Sequence, residues 1–183
     1  MSQHLPIWNL GFIPPAVCDI ASAEYMQIEP KDASMGVSGD EVSHLNRNTT
    51  VRFAPTLDHW FGNMMRGFGL HANTACKWGF ELTGHEAVQY AHYGLEQHYD
   101  WHIDNFPLMG LETDRKVSVV CLLSDPCEFQ GGELQLRFRK EYTAPLVKGS
   151  VIAFPSTIKH RVTPVISGVR TSATMWLNGP RFK

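Results

Sequence analysis

His102-Ile103-Asp104 sets an imidazole and a carboxylate two residues apart, and the chain offers a second imidazole at His160 and a guanidinium at Arg170. In an extended strand, residues two apart project to the same side, so His102 and Asp104 can share a face while Ile103 points away. If a neighbouring strand delivers His160, two imidazoles and one carboxylate occupy one face of an octahedral iron. Three positions then stay open for a cosubstrate and oxygen, the arrangement of non-haem Fe(II) oxygenases. Arg170, at the start of the last apolar run, is a fixed cation able to grip a carboxylate through paired hydrogen bonds. Ser172 shares its face by the same alternation and can reach the same anion. An H-x-D pair alone carries little weight in a chain with 9 histidines and 18 acidic residues. The order and spacing of the whole set carry the argument.

Such a site needs strands to hold it, and the second half of the chain reads as strands. Short β-type runs at 89–93, 99–104, 117–123, 133–139, 150–154, 161–165 and 170–177 are separated by turn residues such as Ser124-Asp125-Pro126, Gly131-Gly132 and Ser167-Gly168. This predicts a mainly β protein, an antiparallel double-sheet jelly roll, with supporting α-helices toward the N-terminus. Pro14-Pro15 marks a helix start, because a first turn tolerates a missing N–H. Leu57, Trp60, Phe61, Met64, Phe68, Ala72 and Ala75 recur at helical spacing and predict an amphipathic helix over 56–76 whose apolar stripe packs on the sheet. Residues 30–50, rich in Asp, Ser, Gly and Asn, read as a surface loop.

With 183 residues, 43% of them hydrophobic, one domain with a sizeable core is expected over 1–183, divided into helical support and loop (1–80) and a double-stranded β-helix core (81–183). A formal net charge of −2 leaves no footprint for nucleic acid or an anionic membrane, so neither is expected as a partner. No secretory leader or membrane span is evident, and Cys18, Cys76, Cys121 and Cys127 form no C-x-x-C pair. They read as reduced thiols of a cytoplasmic protein.

The sequence around these residues carries a resemblance. Tyr93-Gly94-Leu95-Glu96-Gln97-His98-Tyr99-Asp100-Trp101-His102-Ile103-Asp104 resembles the Y-x-x-G-x-x-Y-x-x-H-x-D segment of Fe(II)- and 2-oxoglutarate-dependent dioxygenases of the prolyl 4-hydroxylase type. The stretches Arg115-Lys116-Val117-Ser118 and Gly131-Gly132-Glu133-Leu134, and the closing block from Gly149 through His160 to Arg170 and Trp176, are similar to later motifs of that family. The likeness spans about residues 89–176 and is greatest to the PKHD-type hydroxylase branch, which fits arginine rather than lysine at 170. One position departs from the pattern: Glu96 stands where the family has glycine.

The resemblance implies a cupin-like double-stranded β-helix in which His102, Asp104 and His160 bind iron and Arg170 pairs with the C5 carboxylate of 2-oxoglutarate. Tyr93 would be a second donor near that cosubstrate, Ser172 a further contact, and Trp176 a pocket wall. The implied reaction consumes 2-oxoglutarate and O2, with ascorbate as accessory reductant, and gives succinate, CO2 and a hydroxylated C–H bond. A prolyl residue of a protein or peptide is the implied substrate. Two alternatives stay open: a hydroxylase of a free amino acid or other small molecule, for which Glu96, Asp100 and Arg161 could serve as charged anchors, and a cupin-like binding module without turnover. The segments 36–50 and 105–114 are candidate lids. His92 and His98 are read as ordinary histidines, not needed for a facial triad. Tyr93 and Tyr99 fall on the opposite parity to the iron ligands, so a bulge or loop must intervene if Tyr93 also faces inward.

Overall fold

The computed structural model describes residues 6–32, 48–105 and 112–182. The expected loop at 30–50 and the candidate lids at 36–50 and 105–114 lie largely outside these residues. The elements run β1 (Asn9–Phe12), α1 (Pro15–Met26), β2 (Lys31–Asp32), β3 (Thr50–Phe53), α2 (Trp60–Ala75), β4 (Gly84–His85), β5 (Gln89–Tyr93), β6 (Tyr99–His102) and β7 (Thr113–Leu122). After a 3-10 turn at Pro126–Glu128 come β8 (Phe129–Gly131), β9 (Leu134–Phe138), β10 (Lys140–Thr143), β11 (Ser150–Pro155), β12 (Lys159–Val162), β13 (Val165–Gly168) and β14 (Arg170–Pro180).

The strands assemble into a jelly roll. A large sheet runs β1-β11-β7-β14-β5-β3-β2, with β4 also on β14; a four-stranded sheet runs β10-β9-β12-β6; and β13 pairs with β8. Residues before position 80 therefore supply three strands to the large sheet besides the two helices. The two main sheets bury Ala91, Tyr93, Val120, Ile152 and Phe154 against Leu134, Leu136 and Val162. Alternation sends the other side chains of the large sheet outward, where Tyr90, Val119, Cys121, Met175 and Leu177 pack under α1 and α2. The long strands read as near-continuous apolar runs because both of their faces are covered. Among the described residues no helix is long and apolar enough to cross a membrane.

Helix α2 forms where its periodicity predicts, but its buried face is rotated. Phe61, Gly62, Met65, Gly69 and Ala72 face the sheet, while Leu57, Trp60 and Met64 remain substantially exposed. The reason is steric. A Cβ on Gly69 would lie 2.3 Å from Leu177 Cδ1 and 2.9 Å from Val119 Cγ2, so the helix lies closer to the sheet than larger residues allow. Apolar periodicity gives no weight to glycine and therefore misses this face.

Two strand ends also differ from expectation. His160 lies within β12, not ahead of a strand, and the expected run at 161–165 is split because Pro164, lacking an N–H, interrupts the ladder between β12 and β13. The parity conflict between Tyr93 and His102 is resolved by the turn at 94–98, which carries the chain from the large sheet to the small one. In that turn Glu96 has φ +61°, the left-handed region that glycine occupies without strain. Its N–H bonds to Val165 O at 2.8 Å, and Val165 N–H bonds to Gln97 O at 3.1 Å. The turn thus keeps the geometry that a glycine would favour. Glu96→Gly is expected to leave stability unchanged or raise it by up to about 1 kcal/mol in urea unfolding; a loss of that size would show that the glutamate side chain stabilises the turn.

Candidate metal centre and anion anchor

Antiparallel pairing of β6 with β12 sets His102 directly opposite His160. Their rings are 4.1 Å apart between centroids and inclined by 54°. Each ring is oriented by its own backbone: His102 Nδ1 lies 2.7 Å from Asp100 O and His160 Nδ1 lies 3.0 Å from Ile158 O. A carbonyl oxygen only accepts, so each Nδ1 carries the proton and each Nε2 keeps its lone pair for a metal. Tyr99 stacks on His102, with centroids 3.5 Å apart and planes 13° from parallel, and Phe154 meets the edge of His160 at 4.8 Å.

Asp104 follows the end of β6 and is fixed by a different strand pair. Its N–H bonds to Ser156 O at 3.0 Å, and Ser118 Oγ donates to its Oδ2 at 2.6 Å while also lying 2.9 Å from Ser156 Oγ. The carboxylate then faces both imidazoles, with Oδ1 3.5 Å from His102 Nε2 and Oδ2 3.4 Å from His160 Nε2. One ligand atom from each of the three residues lies within 4.8 Å of the others, and among the described residues no other group of three such side chains comes this close.

The protonation states suit a metal. Burial opposes ionisation of Asp104, but His160, His102 and the Ser118 hydroxyl outweigh it and hold the carboxyl well below the usual range. Burial pushes His160 down to about 4, against the pull of Asp104. At neutral pH the site therefore offers an ionised carboxylate and a neutral His160, the forms that bind a cation. Two nitrogens and one carboxylate oxygen on one side, with no fourth ligand gathered among the described residues, fit a metal keeping open positions.

Deeper in the barrel, Arg170 is 2% exposed. Its NH1 donates to Ser172 Oγ at 2.8 Å, its Nε has no partner among the described residues, and its guanidinium lies 5.3 Å from the ring of Tyr93, its cross-strand neighbour. Burial opposes the charge of this cation, and it faces a narrow cleft lined by Val120, Leu122, Leu134 and Ile152. A buried guanidinium with an unpaired N–H in an apolar cleft is matched by a small carboxylate. Gly132 gives the side chain its passage: at φ +60° a Cβ there would lie 2.8 Å from Arg170 Cδ.

Trp176 is buried directly across from Ser118, with its indole N–H unpaired among the described residues. The Arg115 guanidinium sits 3.8 Å above its ring and is held by both carboxylate oxygens of Glu86 at 2.6 Å. All seven residues singled out in the sequence, His102, Asp104, His160, Arg170, Tyr93, Ser172 and Trp176, thus lie within or along the space between the sheets. His92 instead points to the other face, toward Thr171, and His98 toward Glu96 O. Of the small-molecule anchors, Arg161 lies on the outer face of the small sheet, against Trp101. Sequence reasoning missed Ser118 and Tyr99, although both stand in the stretches that carry the family likeness.

The 2OG-Fe(II) oxygenase superfamily matches residues 88–178. The chain belongs to this superfamily. Membership brings with it Fe(II), 2-oxoglutarate and O2 as cofactor and cosubstrates. A PKHD-type hydroxylase of Shewanella baltica is 40% identical over 84 residues, covering 43% of this chain and 37% of that protein. Another, from Picosynechococcus, is 36% identical over 89 residues, covering 48% of this chain and 40% of that protein. The match therefore spans about two fifths of the length of these relatives. A Pseudomonas putida prolyl-4-hydroxylase shares the fold with a TM-score of 0.70 at 20% identity, over 96% of this chain and 93% of its own. The viral collagen prolyl hydroxylase of Paramecium Bursaria Chlorella virus-1, in its 2OG complex, has a TM-score of 0.71 at 20% identity, over 95% of this chain and 97% of its own.

Because Ser118 donates to Oδ2 of Asp104, Ser118→Ala is expected to weaken metal binding about tenfold to a hundredfold without unfolding the protein. Titration with Mn(II), a redox-stable probe, reads this. An unchanged affinity would mean that the backbone alone orients the carboxylate.

Proposed function

We propose that this chain is an Fe(II)- and 2-oxoglutarate-dependent dioxygenase that hydroxylates a prolyl residue of a protein or peptide. The observation that carries the oxygenase reading is the facial set of His102, Asp104 and His160 with a buried, partly unpaired Arg170 along the same barrel. When bound, Fe(II) with 2-oxoglutarate and O2 supplies the oxidising power to hydroxylate an unactivated C–H bond, with succinate and CO2 as co-products.

The chain's own residues supply position and shelter. His102 and His160 bind through neutral Nε2 atoms, and Asp104 adds the negative charge that holds a divalent cation. Arg170 grips the far carboxylate of 2-oxoglutarate, Ser172 orients the guanidinium, and Tyr93 donates beside it. Phe154, Leu136 and Val120 line the space between the sheets and keep bulk water from the reacting centre. Trp176, braced by Arg115, walls the substrate side. The prolyl assignment rests on the hydroxylase relatives, including a prolyl hydroxylase from Trichoplax adhaerens in complex with a hypoxia inducible factor peptide fragment. The free thiols and the Fe(II) requirement suit a reducing cytoplasm.

Incubation with Fe(II), 2-oxoglutarate and proline-containing peptides is expected to add one oxygen to proline, read by mass spectrometry. Oxygen on a free amino acid instead would move the substrate assignment, and no consumption of 2-oxoglutarate with any substrate would leave a binding module. Arg170→Ala is expected to weaken 2-oxoglutarate binding by about a hundredfold or more while leaving Mn(II) binding nearly unchanged. Equal affinity in mutant and parent would remove Arg170 from the anchor role.

A further inference from the structure

The small sheet has an outer face with no part in the metal centre, and it carries three cations, Arg137, Lys159 and Arg161, against two carboxylates, Glu141 and Glu133. Trp101, one residue before His102 and therefore on the opposite side of β6, lies between two guanidinium groups: Arg137 at 3.9 Å and Arg161 at 4.7 Å from its ring centroid. Lys159 on β12 stands directly opposite Arg137 on β9. Like charges in that relation destabilise a sheet. Arg137 pairs with Glu141 at 2.6 Å, while Arg161 Nε donates to the neutral Gln135 Oε1 at 2.8 Å. Neither Lys159 nor Arg161 has an acidic partner among the described residues.

We infer that this face binds an acidic segment of an extended polypeptide, and that the segment flanks the residue presented to the metal centre. Guanidinium forks match carboxylates, and a partner's acidic side chains offset the repulsion between Lys159 and Arg137. Geometry links the face to the site. Among the described residues β6 is the edge strand of its sheet, and consecutive residues Trp101 and His102 face opposite sides of it. A chain crossing that edge passes from the patch to the barrel interior in about 10 Å, or about three extended residues at about 3.3 Å each. A nucleic acid fits less well, because the guanidinium groups already cover the Trp101 ring that would stack a base, and the whole chain has a net charge of −2. This inference rests on the peptide reading proposed above and names the chemistry of the peptide.

The test is binding, measured without iron or 2-oxoglutarate, by fluorescence anisotropy of labelled peptides with a single proline and a charged run beginning about three residues away. The glutamate peptide is expected to bind about tenfold more tightly than its glutamine counterpart at low salt and to lose that advantage as salt rises. Arg137→Glu with Arg161→Glu is expected to abolish the preference and to favour the lysine peptide, with Arg137→Gln and Arg161→Gln intermediate. Thermal unfolding and 2-oxoglutarate binding, unchanged from the parent, show that the variants are folded. Equal binding of glutamate and glutamine peptides, insensitivity to the charge reversals, or preference for a single-stranded oligonucleotide would overturn the inference. Acidic-peptide binding without hydroxylation would overturn the proposed function alone. Hydroxylation without acidic preference would overturn this inference alone.

Discussion

The register between β6 and β12 is the constraint on which the site depends. Only with His102 opposite His160 do two imidazoles meet across one ladder, and a slip of one residue in either strand would send that strand's imidazole to the outer face. A slip of β12 would also bring Lys159 and Arg161 inward, burying cations beside an apolar cleft. The register is thus held by what each face can tolerate. Asp104 completes the set from beyond the strand end, where Ser156, in the turn after β11, accepts its N–H and Ser118 of the opposing sheet donates to its carboxylate. The two sheets consequently meet at the carboxylate.

A buried carboxylate and a buried guanidinium both cost folding free energy, and neither has a full ion-pair partner among the described residues. Asp104 is compensated by hydrogen bonds and by imidazole dipoles, and Arg170 by one hydroxyl and an aromatic face. Such groups destabilise a core unless something else is bound. Both sit in one barrel between the same two sheets, where a cation and a small dicarboxylate would neutralise them.

Much of this was legible from sequence because the chemistry is dense there. His102, Asp104, His160 and Arg170 are residue types with few other reasons to stand at those spacings, and strand alternation correctly put Ser172 beside Arg170. What stayed hidden depends on long-range packing. Ser118 is an ordinary strand residue until Asp104 is brought beside it, and Tyr99 reads as a core aromatic until the ladder sets it against His102. The rotated face of α2 was hidden by Gly62 and Gly69, which carry no hydropathic signal. Strands β1 to β3 are short and flank helices, so their pairing with distant strands leaves little local trace. Glu96 is the reverse case: the sequence marked it as a departure, and its backbone conformation explains why the family prefers glycine.

Strand β14 joins two duties. Arg170, Ser172 and Trp176 project into the barrel, while Met175 and Leu177 project outward against Gly62 and Gly69 of α2, where added Cβ atoms would lie 3.3 Å from Met175 Cε and 2.3 Å from Leu177 Cδ1. The strand on which the helix rests is therefore also the strand that carries the guanidinium into the cleft. Neither face is free to drift by itself: a substitution in the helix layer bears on the strand from behind, through residues that do not line the cleft.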